Sequence, residues 1–198
     1  MSNDALGMVL VISGPSGVGK DTVWLCAKPC LPTFGKAITC TTRERRPHEV
    51  DGVDYYFVSD DEFDRMIRDD ELIEWAYVHK LGHRYGVPES SVFNRINNGD
   101  DVVCVIDVQG ALRIRNLFPT ATLIFIKPPQ GREQEVLEQR IQGRSPVEPT
   151  ELATRLESAW RELSQTDHYD YQIVNDDVER AARELCEVIA AEKARRAA

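Results

Sequence analysis

A run of apolar, mostly β-branched residues, Met8–Ser13, leads straight into Gly14-Pro15-Ser16-Gly17-Val18-Gly19-Lys20-Asp21-Thr22. The spacing is GxxxxGK, and it constrains the fold more than any other feature of the chain. Glycines let successive backbone N–H groups turn toward one anion. A helix starting at the end of the loop adds the positive end of its dipole. Lys20 then reaches the β- and γ-phosphates of a nucleotide. The chemistry needs a buried strand before the loop and a helix after it, so the motif calls for an α/β unit. An ordinary glycine-rich turn between strand and helix has no reason to keep a lysine in that register. One position departs from the pattern. Asp21 follows Lys20 where Ser or Thr usually binds Mg²⁺, and Thr22 comes next. A carboxylate is also a hard oxygen ligand. The expectation is that Asp21 holds the metal, directly or through water, or that Thr22 does so in its place.

The rest of the chain fits that unit. Strand-length apolar runs recur at Asp101–Ile106, Ala121–Ile126 and Tyr171–Val174. Helix-length stretches lie among them: Gln109–Leu117, Arg132–Gln142, Glu151–Gln165 and Val178–Arg195. Such alternation predicts a parallel sheet covered by helices on both faces. Residues Thr41 to Tyr85 break the rhythm. They read as half-buried strands, Tyr55–Val58 and Leu72–Val78, around a short helix that starts near Ser59. Ser59 and Glu62 have capping-box spacing. This stretch is expected to be an antiparallel insertion. The irregular, proline-containing Gly143–Pro149 is expected to form part of a flexible lid.

A chain of 198 residues is expected to be one domain. Its 24 basic and 33 acidic residues leave a net charge of −9, which argues against broad binding to nucleic acid or an anionic membrane face. The basic residues are 18 Arg against 6 Lys, and arginine is the better fork for phosphate. Five cysteines without CxxC spacing read as free thiols in a reducing compartment. The amino-terminal segment has no signal-peptide pattern. No stretch approaches the ~20 apolar residues of a membrane span. The expectation is a soluble cytoplasmic protein, a monomer or a homodimer.

A second basic cluster stands out in this acidic chain. Thr41-Thr42-Arg43-Glu44-Arg45-Arg46-Pro47-His48-Glu49 holds three arginines within four positions. After it come Gly52-Val53-Asp54-Tyr55-Tyr56-Phe57-Val58, Leu72-Ile73-Glu74-Trp75-Ala76, Arg84-Tyr85-Gly86, Ile106-Asp107-Val108-Gln109-Gly110 and Val174-Asn175-Asp176-Asp177. In this order the motifs resemble those of the guanylate kinase family, from about Val9 to Lys193. The resemblance implies transfer of a phosphoryl group from ATP, with Mg²⁺, to GMP or dGMP. It also implies a P-loop NTPase three-layer α/β core, an inserted small, mostly antiparallel β subdomain for the nucleoside monophosphate, and a mobile lid. The core would span about 1–40, 92–140 and 157–198, the insertion about 41–91 and the lid about 141–156.

Residue roles follow from the same resemblance. Arg43, Arg46, Tyr55 and Tyr85 would surround the GMP phosphate. Glu74 would read guanine, which presents N1–H and N2–H₂ side by side to one carboxylate. Adenine offers an unprotonated N1 there, and a buried mismatch of that kind rejects the wrong base. Thr39 matches a hydroxyl of the guanine pocket. Asp107, at the carboxyl edge of a strand, would face GMP or sit near the metal. Arg140, Arg144 and Arg155 would close over the ATP phosphates, and Asn175 would contact adenine. Arg132 and Arg161 have no such match. The reaction fits these residues, since a phosphate monoester is itself a nucleophile and needs positioning and charge neutralisation rather than a general base.

Three features depart from the family pattern. Val87 replaces a hydroxyl that helps read guanine, a loss of roughly 0.5–1.5 kcal/mol for one neutral hydrogen bond. Val105 replaces an acid, and a small insertion lies at His79–His83. Two other readings stay open on the sequence: a kinase of another phosphorylated acceptor such as a ribose phosphate, which the GKD at the phosphate loop also resembles, and a non-catalytic guanylate-kinase-like interaction module.

Overall fold

The computed structural model describes residues 7–78, 82–143 and 148–197. In chain order the elements are β1 (Val9–Ser13), α1 (Lys20–Ala27), β2 (Phe34–Lys36), β3 (Cys40–Thr41), β4 (Tyr56–Phe57), α2 (Asp60–Arg68), β5 (Leu72–Val78), β6 (His83–Pro88) and α3 (Glu89–Asn97). They continue with β7 (Asp101–Val105), α4 (Val108–Leu117), β8 (Thr122–Lys127), α5 (Glu133–Gln142), α6 (Pro149–Leu163), β9 (Tyr171–Val174) and α7 (Val178–Ala197).

Among the described residues, five strands form one parallel sheet in the order β2-β7-β1-β8-β9. β1 lies at its centre, with Val9 opposite Val102 and Leu10 opposite Thr122. Alternate residues of these strands point to opposite faces. Leu10, Ile12, Ile124 and Ile126 pack with Val23 and Trp24 of α1 and Leu185 and Ile189 of α7. Val9, Val11, Leu123 and Phe125 pack on the other side with Val92, Ile96, Ala111 and Ile114 from α3 and α4. Two cores back to back on one sheet make the three layers. They leave the carboxyl ends of the strands, and the loops that follow them, open for ligands.

The second sheet has the order β4-β3-β6-β5. β3 pairs antiparallel with β6 and β5 with β6, while β3 and β4 are parallel. Along β5 and β6 the register slips between Leu72 and Glu74. A bulge of this kind re-aims side chains. Leu72 and Ile73 are both buried, in different clusters, and Glu74 comes next, partly buried, at the junction of the two sheets. Among the described residues no helix is long and apolar enough to cross a membrane.

Some expectations change. Ser59 does cap α2, accepting from the Glu62 N–H at 3.1 Å. The reciprocal half of the capping box is missing, because the Glu62 carboxylate takes two bonds from Arg65 instead. Pro149 is not part of an irregular connector. It opens α6, where a proline costs no hydrogen bond. That helix starts two residues earlier than its pattern suggested and ends at Leu163. Residues 144–147, in the expected lid, lie outside the described residues, as do 79–81 of the expected insertion.

Candidate active site

The loop between β1 and α1 is built by backbone conformations open to glycine. Gly14, Gly17 and Gly19 have φ of 139°, 84° and 95°. A Cβ on Gly14 would lie 2.2 Å from the Ile126 carbonyl oxygen, and one on Gly19 2.7 Å from Asn175 Nδ2. The loop therefore packs directly on β8 and on the turn after β9. Lys20 Nζ donates to the carbonyls of Gly14 at 2.7 Å and Pro15 at 3.3 Å. Burial pulls its pKa down, against the charges of Glu162, Asp21, Glu74 and Asp107. The ammonium thus lies where carboxylates from α1, β5, α6 and the end of β7 converge. Asp21 pairs with Lys36 Nζ at 3.1 Å. Thr22 is exposed and lines a cavity of about 530 Å³ with Gly19, Arg140, Asn175 and Asp177.

A smaller pocket of about 150 Å³ gathers Thr39, Glu74, Tyr85, Val87 and Asp107. The Glu74 carboxylate accepts from the backbone N–H of Asp107 at 2.8 Å. Asp107 in turn caps α4, its Oδ1 accepting from Gly110 N at 2.8 Å. Burial, reinforced by the charge of Asp107, pushes the Glu74 pKa up to about 8. Gly110 has a steric reason: a Cβ there would lie 2.6 Å from Glu74 Oε2. Val87 is buried in the core cluster of Ile73 and Ile106, so its methyl groups replace a hydroxyl with packing.

The arginine segment closes around Glu49. Arg43 donates to Glu49 Oε1 at 2.7 Å, and Arg46 N donates to Oε2 at 2.8 Å. Together they hold the Glu49 carboxyl down to about 2. Arg43 also bonds the Tyr85 hydroxyl and lies 5.5 Å over the Tyr55 ring. The rings of Tyr55 and Tyr85 meet edge-on at 6.0 Å. Arg43, Tyr55 and Tyr85 are thus brought together. Arg46 joins the group through its backbone, and its side chain is exposed.

The expected lid arginines separate. Arg140 Nη1 donates to the Val18 carbonyl at 2.8 Å and Nη2 to the Asn175 carbonyl at 3.0 Å. Buried Asn175 donates from Nδ2 to the same Val18 oxygen at 2.7 Å. Its Oδ1 has no partner among the described residues. Here Arg140 ties the phosphate loop to the turn after β9, and it lines the same cavity as Gly19 and Thr22. Arg155 pairs with Glu151 one turn away on α6. Arg144 lies outside the described residues. Among the described residues no three His, Cys, Asp or Glu side chains cluster to hold a metal.

A family model described as "Guanylate kinase" matches residues 7–192. The chain belongs to the guanylate kinase family. A guanylate kinase of Symbiobacterium thermophilum is 43% identical over 98% of this chain and 90% of its own. One of Carboxydothermus hydrogenoformans is 40% identical over 94% and 89%. The crystal structure of guanylate kinase from Anaplasma phagocytophilum superposes with a TM-score of 0.64 and 33% identity, over 94% of this chain and 86% of that one.

Around the candidate site of this guanylate kinase family member lie four residues to which sequence reasoning gave no role. Glu49 organises the arginine segment, and its place six residues after Arg43 was the available signal. Glu162 lies late in α6. The N–H of Ser16 donates to its carboxylate, and Ser158 Oγ donates to Oε1 at 3.0 Å. Only the packing of α6 against the phosphate loop reveals it. Gly110 was read as part of a motif without its steric reason. Lys36 carried no signal at all.

Proposed function

We propose that the protein transfers the γ-phosphoryl group of ATP to GMP, and to dGMP, by in-line displacement. Family membership supports the activity. The observation that carries its assignment to these residues is the pocket of Thr39, Glu74, Tyr85 and Asp107, whose two carboxylates lie within electrostatic reach of Lys20. A GMP phosphate oxygen attacks Pγ, a new P–O bond forms, and the bond from Pγ to the β-bridging oxygen breaks, with ADP leaving. Little covalent chemistry falls to the protein, so its task is positioning and neutralisation. The loop N–H groups and Lys20 hold the ATP phosphates. Asn175 Oδ1, buried and unpartnered, suits an exocyclic amine of adenine. Arg43, Arg46, Tyr55 and Tyr85 hold the acceptor phosphate. Glu74 and Thr39 read the base, with Asp107 behind Glu74.

Mg²⁺ travels with ATP in this proposal. Such an ion is bound chiefly by phosphates and water with one or two protein oxygens. The exposed Asp21 carboxylate and Thr22 hydroxyl are hard donors at the loop, which suits that role, and would steady the metal while it screens phosphate charge. Arg144 and Arg155 would join on closure of a lid over residues 141–156, excluding water from the γ-phosphate. The five free cysteines fit a reducing cytoplasm. Calorimetric titration with GMP, IMP and AMP tests base reading. GMP should bind best, IMP, which lacks the N2 amine, less well, and AMP least. Equal binding of all three would overturn the assignment of Glu74.

A further inference from the structure

Where no divalent metal stands beside it, Asp21 poses a problem for the phosphate loop. The first turn of α1 follows the loop that must accept a polyphosphate. The charge of Asp21 already acts on Lys20, the cation meant for that polyphosphate. A carboxylate there opposes the incoming anion. The position of Lys36 resolves this. It ends β2, whose pairing with β7 sets Lys36 opposite Val103, and Phe34 of the same strand is buried. The next residue is fixed too, with Ala37 N donating to the Val103 carbonyl at 2.9 Å. From this edge strand the ammonium reaches the Asp21 carboxylate at 3.1 Å.

The pair does not exist for stability. Both side chains are about half exposed, 48% for Lys36 and 59% for Asp21, and exposed pairs contribute little to folding. Its effect falls on the neighbouring anion site, where a lone negative charge becomes a compensated pair. Lys36 also lines the pocket that holds Thr39 and Glu74, so one residue borders both substrate regions.

We propose that Lys36 is the counter-charge of the phosphate loop, a positioning residue that lets Asp21 stand beside a bound nucleoside polyphosphate. The proposal rests on the reading of Gly14–Lys20 as the phosphate site.

The test is ADP binding by calorimetry in the presence of a chelator, so that no divalent metal supplies the missing charge. Lys36→Met keeps the stem and should weaken ADP about fivefold, the scale of one partly screened charge. Lys36→Arg should bind like the parent chain. Asp21→Ser combined with Lys36→Met should return affinity to within about twofold of the parent, because the loop no longer needs compensation. An unchanged affinity in Lys36→Met overturns the proposal. So does a double variant as weak as the single one, since Lys36 would then act directly on phosphate or through the fold. If the parent chain fails to bind ADP both with chelator and with Mg²⁺, the phosphate-site reading falls and takes this proposal with it; binding only with Mg²⁺ overturns this proposal alone. Binding by the parent with no rescue sinks this proposal alone.

Discussion

Glu74, the base reader in this proposal, has a proton of its own in play. Its pKa is pushed to about 8 by burial and by Asp107, so below that pH the side chain is largely protonated. A protonated carboxyl loses part of its capacity to accept from both guanine donors. The value of kcat/KM for GMP, which reports groups of the free enzyme, should therefore climb as pH rises toward about 8 and level off above it. In Glu74→Gln that rise should vanish, GMP should be used less well, and the gap to IMP and AMP should narrow. A pH–rate series on both proteins checks this. Gly110 adds a steric prediction. Alanine in a helix is normally favoured over glycine by about 1 kcal/mol, yet here its Cβ would press on Glu74 Oε2. Gly110→Ala should raise the KM for GMP about tenfold or more, the consequence of displacing a positioning contact, while ADP binding is retained. In the Glu74→Gln background the same substitution should cost less.

At the scale of elements, the arginine segment is gathered by Glu49, and the phosphate loop is held in part by Arg140. Glu49 gathers Arg43 and the backbone of Arg46. Its carboxyl titrates near 2 in the folded chain, below its unfolded value of about 4.3. A depressed acid contributes stability that is full above the unfolded pKa and lost as pH falls toward the folded one. Replacing it by Gln should remove that contribution, so Glu49→Gln should unfold at higher pH than the parent in an acid titration followed by circular dichroism. It should also loosen Arg43 and weaken GMP. The clamp at Val18 behaves differently. Arg140→Met removes two bonds to backbone carbonyls behind the loop. Net hydrogen bonds from charged groups are worth roughly 1.5–3 kcal/mol each, less where solvent screens them as it does partly here. The variant should show a lower Tm together with weaker ADP binding. A loss of kcat with both unchanged would return Arg140 to the phosphates.

For the whole molecule, how much the sequence disclosed depended on burial and length. β5 and β9 match their predicted bounds, and β1, β7 and β8 differ by a residue at their ends; β1 and β8, buried along almost their whole length, leave an unmistakable apolar run, while β5 and β9 are only partly buried and were legible from their β-branched and aromatic residues. β2 and β3, with three and two residues, are too short to carry a pattern. β6 contains Gly86 and Pro88, which read as loop, and α3 behind it was missed with it. At the site, glycines, Lys20, Glu74 and Asp107 were legible as motif. The partners Glu49, Glu162 and Lys36 were not, since each acts through a contact that only the packed chain creates. The bonds of Arg140 to the Val18 and Asn175 carbonyls depend on the direction of α5, which spacing does not encode.

The central claim is that two anion sites, the phosphate loop of the parallel-sheet core and the arginine segment after β3 of the second sheet, pass a phosphoryl group from ATP to GMP. The direct measurement is ADP release with Mg-ATP and, separately, GMP, dGMP, AMP, IMP, UMP and ribose phosphates, on the parent chain and on Lys20→Ala. GMP and dGMP should turn over, the others far more slowly, and Lys20→Ala should lose turnover while keeping its fold. Turnover on a ribose phosphate but not on GMP, or binding of GMP with no turnover on anything, would contradict the claim.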